Sequence, residues 1–250
     1  MRKEPPIRRL RAKPAACRRA FDLMFRAFGP QHWWPGDTTD EMIIGAMLTQ
    51  NTAWTNVKKA IANLKEAGVL SLRRVADLDA AALTELIRPA GYYNVKAKRL
   101  QSACRYFVDR SKAFSESSES GQSIASSEST GPSSELDSFK TVPTETLRAE
   151  LLSVHGVGRE TADSILLYAL GRPVFVIDAY TLRIGARHGW FPKGTQYEEA
   201  RSFFERYLQP SVPLFNEYHA LLVATGKDYC KPKARCEGCP LNTRGFRPKE

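Results

Sequence analysis

The residues best placed to do chemistry are one carboxylate and a pair of glycines upstream of it. Asp178 ends the apolar run Val174-Phe175-Val176-Ile177 and stands where the next helix must open. Asp is a preferred helix N-cap. One carboxylate oxygen can hold the helix while the other acts on a reactant, so cap and catalyst are both open roles. Upstream, His155-Gly156-Val157-Gly158-Arg159 separates two segments of helical periodicity. Leu147, Leu151 and Val154 suit one helix face, and Ile165, Leu166, Ala169 and Leu170 suit another. Gly156 and Gly158 admit backbone conformations that a Cβ opposes, so two helices can meet across few residues. The second helix then opens with free N–H groups and a positive dipole end, which together suit a phosphate. A plain core hairpin is the other reading. A dinucleotide fingerprint fits worse, because the preceding segment reads as helix and Ala162 follows Thr161 where a third glycine is needed.

Three further groups could bind or ligate. Trp33-Trp34-Pro35-Gly36 puts adjacent indoles in a Pro/Gly loop, where they cannot easily share one core direction. Loops carry binding residues, although indole burial that pins the loop is the alternative. Thr49-Gln50-Asn51-Thr52-Ala53-Trp54 sets polar amides at a helix junction, either an interhelix turn over a core Trp or a segment that enters a nucleic-acid gap. Near the C-terminus, Cys230, Cys236 and Cys239 have the close spacing of soft ligands for zinc or an iron–sulfur cluster. Three thiols leave such a site open; either Cys17 completes it or the cysteines are free.

These residues sit between helical segments. Ala15–Phe28 reads as an amphipathic helix with Phe21, Met24, Phe25 and Phe28 on one face, stopped by Gly29-Pro30. Helices are predicted at Asp37–Leu48, through Val57, Ile61 and Leu64, at Asn94–Arg110, from Thr144, from Asp178 to about His188, and near Gln196–Leu208 and Pro213–Thr225. Lys96, Lys98 and Arg99 are expected on a solvated basic face. No confident alternating strand appears, so the class is all-α. Ser115–Ser138 is rich in Ser, Glu and Gly and almost lacks large apolar residues, which predicts a disordered surface insertion.

The 250 residues carry a net charge of +10 with a pI near 9.5, which suits a polyanionic partner as well as plain solubility. No run of about 18 apolar residues is present, so no membrane span is expected. The basic N-terminus MRKEPPIRRLRAKPAA lacks the apolar core of a secretory signal. Five cysteines, three of them crowded at one end, are no secreted disulfide framework, and a reducing cytoplasmic setting is expected.

HGVGRETA followed by VIDAYTLRI resembles the helix-hairpin-helix plus Asp signature of the endonuclease III superfamily of DNA glycosylases. WWP, LTQNT and RPAGYYNVKAKRL are similar to the 3-methyladenine branch of that superfamily. The resemblance implies two helical domains with a cleft between them. One is a six-helix domain over 37–170; the other joins 15–36 to 171–250. It also implies that Asp178 works at the sugar carbon, and that His155, Gly156, Val157, Gly158 and Arg159 grip the DNA backbone. Trp33, Trp34, Pro35 and Trp54 would line the base pocket, with Trp54 where the branch usually has Phe. Lys227 stands where the branch places a pocket lysine, a solvated helix-end cation being the alternative. Gln50, with Asn51, would fill the hole left in the duplex, and Tyr92 or Tyr93 would wedge from the opposite strand unless they only start the next helix. Bifunctional members carry a Schiff-base Lys in the second hairpin helix. Here Glu160 takes its place, no Lys lies between Thr141 and Pro192, and a carboxylate cannot form an imine. The resemblance therefore implies a monomeric, monofunctional glycosylase acting on damaged bases, alkylated purines such as 3-methyladenine, in double-stranded DNA. Oxidised or deaminated bases are the alternative substrates, and a non-catalytic hairpin protein is the alternative class. The family's four-cysteine [4Fe–4S] loop would fall at 230–245, with Gly245 in place of the fourth cysteine; the cluster is not required for the chemistry.

Overall fold

A computed structural model describes residues 13–119 and 134–243. The described residues are helical and contain no strand. They divide into two compact units, Pro35–Arg172 and a second that joins the chain up to Trp34 with the chain from Pro173.

The Pro35–Arg172 unit is arranged around α2 (Thr39–Leu48). Thr38 caps it by accepting from the Glu41 N–H, and Asp40 and Glu41 lie in its first turn, where the helix dipole favours acids. Ile43, Ile44, Gly45, Ala46, Met47 and Leu48 are all buried, so this helix is apolar on every side, as a central helix must be. Around it lie α3 (Trp54–Glu66), α4 (Leu72–Asp77), α5 (Ala80–Leu86), α6 (Tyr93–Glu119), α7 (Ser134–Lys140), α8 (Thr144–Ser153) and α9 (Arg159–Ser164). The sequence anticipates one uninterrupted helix after the hairpin, but α9 gives way to a π-helical turn at Ile165–Ala169. Along α6, Ala97, Leu100, Ala103, Cys104, Phe107 and Val108 are buried at helical spacing.

The serine-rich segment departs from expectation at both ends. Helix α6 runs to Glu119, past Ser115, and α7 begins at Ser134. Within α7, Ser138 and Phe139 are buried, and the Phe139 ring lies 5.2 Å from that of Phe107. One aromatic at the end of a polar run is enough to anchor the turn beside it. The rest of the expected insertion, 120–133, lies outside the described residues.

The other unit consists of α1 (Lys13–Phe28), α10 (Ala179–Arg187), α11 (Tyr197–Tyr207) and α12 (Val212–Asp228). Its core is aromatic. Phe175 stacks on Phe204 with centroids 4.0 Å apart, and Phe215 and Tyr218 meet Phe175 edge-on. The run Val174–Ile177 is fully buried yet forms no sheet; it is a core strap that delivers Asp178 to the start of α10. Tyr218 lies in the interior and donates its hydroxyl to the Cys17 carbonyl at 2.8 Å, which ties α12 to α1. A Cβ on Gly226 would meet the Tyr180 ring at 2.2 Å, so glycine sets the close approach of α12 to α10.

Candidate DNA-binding and catalytic residues

Asp178 is the N-cap of α10, as its position after the apolar strap predicts. Its Oδ1 accepts from the Thr181 N–H at 2.7 Å. Its Oδ2 is 3.8 Å from His219 Nε2, beyond hydrogen-bond length. The residue is only 8% exposed. One oxygen therefore holds the helix and the other lies beside an imidazole. His219 is a residue that sequence reasoning missed. It stands on α12 among Tyr218, Ala220, Leu221 and Leu222, all buried, and looks there like a core residue. Burial lowers its pKa from the ordinary histidine value, against the opposing pull of Asp178. It is therefore a neutral imidazole near pH 7.

The hairpin lies between α8 and α9. Gly156 has φ +88°, a left-handed conformation, and a Cβ there would meet the Arg99 side chain at 2.3 Å. His155, Gly158, Arg159 and Glu160 are exposed, and Gly158 is the N-cap of α9 without a side-chain cap. Val157 differs: its side chain is buried and its N–H donates to Val154 O at 3.0 Å. Behind the hairpin, Arg148 of α8 forms a two-pronged ion pair with Asp163 of α9, at 2.6 and 3.1 Å, with the aspartate fully buried.

The structure brings Gln50 to this hairpin. Gln50 Nε2 donates to Gly156 O at 2.9 Å and to Thr161 Oγ1 at 3.0 Å. Asn51 next to it is exposed at φ +51°, and Tyr92 is 76% exposed at φ +48°. Trp54 opens α3 and is half-buried. Lys96 corrects the expectation of a solvated basic face. It is 4% exposed, its Nζ donates to Leu48 O, Thr52 Oγ1 and Ala90 O, and burial draws its pKa down to about 8. Lys98 alone of that trio is fully outward, and Arg99 is half-buried over Gly156.

In the other unit Trp33 and Trp34 are half-buried with rings edge-on at 5.3 Å. Pro35, which follows them, is exposed, and so is Lys227 in the last turn of α12.

Cys230, Cys236 and Cys239 line one small cavity of about 20 Å³ with Arg187 and His188; Cys17 is not part of it. Cys17 instead lies buried on α1. Burial, with the nearby Cys236 and Cys230, raises the Cys239 pKa. Among the described residues no group of three or more His, Cys, Asp or Glu side chains could hold a metal ion. Gly245 lies outside the described residues. The residues present therefore do not fit a four-thiolate cluster. The loop is fastened by arginines instead: Arg183 Nε donates to Cys230 O at 2.5 Å, and Arg187 donates to Cys230 Sγ, Lys231 O and Pro232 O at 3.2, 2.7 and 2.6 Å.

An all-α fold thus carries a glycine hairpin between two helices and a helix-capping carboxylate after an apolar strap. Residues 44–210 match the family described as HhH-GPD superfamily base excision DNA repair protein, and the chain belongs to that superfamily. It is 41% identical over 221 residues to the Methanocaldococcus jannaschii protein described as "Putative DNA repair glycosylase MJ1434", covering 88% of this chain and 91% of that one. The crystal structure of H. pylori 3-methyladenine DNA glycosylase (MagIII) bound to 1,N6-ethenoadenine is similar, with TM-score 0.64 and 27% identity over 86% of this chain and 95% of that one. A non-covalent endonuclease III–DNA complex shares the fold, with TM-score 0.69 at 21% identity, covering 94% of each chain. No described helix is long and apolar enough to cross a membrane.

Proposed function

We propose that this base-excision-repair glycosylase is monofunctional and hydrolyses the N-glycosidic bond of alkylated purines, 3-methyladenine among them. The observation that carries the reading is Asp178, held by one oxygen at the head of α10 with the second oxygen 3.8 Å from a neutral histidine. A base inside a duplex is out of reach and must be extruded. His155 to Arg159 would hold the backbone, with Arg159 adding charge. The resemblance assigns contact with the flipped base to Trp33, Trp34, Pro35, Trp54 and Lys227. Alkylation at N3 or N7 makes a purine cationic, and aromatic faces favour a cation over a neutral ring. Such a base also leaves without a strong general acid. Asp178 then stabilises the oxocarbenium-like sugar and orients or deprotonates the attacking water. Glu160, exposed in the first turn of α9 where a lyase needs an amine, supports hydrolysis without strand cleavage.

The test is base release from methylated double-stranded DNA, with the freed bases separated by chromatography. Wild type is expected to free 3-methyladenine, and borohydride is expected to trap no protein–DNA adduct. A trapped adduct would make the enzyme a lyase. Release of only oxidised or deaminated bases would move the substrate class, which Trp54 in place of the usual Phe makes the second reading.

A further inference from the structure

Lys96 is buried, yet its partners are two backbone carbonyls and a hydroxyl rather than a carboxylate. Lysine is almost never buried unless paired. The Thr52 hydroxyl proton is already committed to a backbone carbonyl, Ala90 O at 2.6 Å with Gln50 O at 3.2 Å as the other acceptor. Thr52 must therefore accept from Lys96, and three acceptors use the three N–H bonds of an ammonium. Burial opposes that charge, so the arrangement is costly to hold.

The acceptors lie at the roots of two exposed turns. Leu48 ends α2, where the Thr49–Ala53 turn leaves, and Ala90 ends the 3₁₀ turn Arg88–Ala90, where Gly91 and Tyr92 leave. Each turn carries a non-glycine residue at positive φ, Asn51 and Tyr92, and both side chains face solvent. Asn adopts left-handed backbone readily, whereas at Tyr92 it persists only where the surroundings enforce it. Val95 in the first turn of α6 is exposed as well, so two apolar side chains face solvent at this end of the helix. The Asn51 turn is tied in addition to the hairpin through Gln50.

We infer that Lys96 is a positioning residue that holds the Asn51 turn and the Tyr92 turn at one fixed separation, so that both enter the duplex together when a base is extruded. This rests on the reading of the chain as a glycosylase that flips its target. Lys96 touches no reacting atom; it acts through the roots of the two turns.

The experiment compares wild type with Lys96→Met and Thr52→Val, with Thr52→Ser as the conservative control. Fluorescence of 2-aminopurine in a duplex reports opening without any bond cleavage. One duplex pairs the probe with thymine, and a second sets it opposite an abasic site, where no partner has to be displaced. At saturating protein, Lys96→Met is expected to lose about tenfold or more of the opening rate on the paired duplex, since a misplacement of about 1 Å costs on the order of 10²-fold. Opening of the abasic-site duplex is expected to be unchanged. Thr52→Val should follow Lys96→Met in direction, and Thr52→Ser should match wild type. Equal losses on both duplexes, in proportion to a fall in folded protein, would reduce Lys96 to a stability residue and overturn the inference. So would wild-type rates in both Lys96→Met and Thr52→Val, or a wild type that opens neither duplex. A wild type that opens DNA but frees no base from methylated DNA would sink the proposed substrate and leave the Lys96 role standing.

Discussion

The hairpin at 154–158 and the cysteine loop at 230–242 are both short irregular segments that neighbouring helices must hold, and they are held differently. Three elements converge on the hairpin. Gln50 reaches it from the turn after α2, Arg99 covers Gly156 from α6, and the Arg148–Asp163 pair locks α8 to α9 beneath it. The side chains that reach the cysteine loop from outside come from α10, Arg183 and Arg187, and Thr225 O of α12 accepts from the Cys230 N–H at its start. The hairpin's ties come from several elements and include a buried ion pair, whereas the loop's arginine bonds all start from α10 and end on Cys230, Lys231 and Pro232. On the proposed function the hairpin must meet a polyanion without shifting, which needs the first kind of support. A loop that merely finishes a domain can manage with the second.

That contrast can be broken experimentally. Arg148→Met leaves the fully buried Asp163 carboxylate without its guanidinium and should destabilise the protein by about 3–5 kcal/mol in a denaturant titration. Gly156→Ala forces a Cβ into left-handed backbone and against Arg99, and should cost about 1–3 kcal/mol while weakening binding to undamaged duplex. Arg187→Ala removes charge-assisted bonds to two carbonyls and a thiol, and should cost about 1–3 kcal/mol without changing DNA affinity. If the loop is held by arginine rather than metal, a strong chelator should leave the wild-type melting temperature unmoved; a fall on chelation would restore a metal to the cysteines. The smallest effect concerns pH. The His219 pKa is lowered by folding, so below about 6.5 the unfolded chain binds more protons than the folded one. Stability must then fall as pH falls from about 6.5, and His219→Gln should flatten that limb.

Much of the frame was legible because it rests on local rules. Gly156 and Gly158 mark the hairpin, Asp178 marks a cap, and the periodicity of 144–153 and 212–228 marks helices regardless of their surroundings. What escaped the sequence depends on partners distant along the chain. Lys96 reads as one more cation on a basic helix, and only the arrival of Leu48, Thr52 and Ala90 around its ammonium makes it internal. His219 reads as a core histidine until α10 brings Asp178 beside it. The cysteines drew notice by their chemistry, while the residues that hold their loop, Arg183 and Arg187, look like ordinary helix-surface arginines. The helix at Ser134–Lys140 overlaps the end of the predicted polar insertion, because Phe139, a single aromatic just after it, carries too little periodicity to announce a helix.

The central claim is that the second oxygen of Asp178 performs the chemistry while the first only holds α10. Asn is as good an N-cap as Asp, so Asp178→Asn keeps the bond to the Thr181 N–H and removes only the charge. The decisive measurement is the single-turnover rate of base release from methylated duplex DNA by wild type and Asp178→Asn, with duplex affinity and melting temperature read on the same preparations. The expected result is a loss of at least about 100-fold in release with affinity and melting temperature held. Equal release by both proteins would make Asp178 a helix cap and place the catalytic group elsewhere.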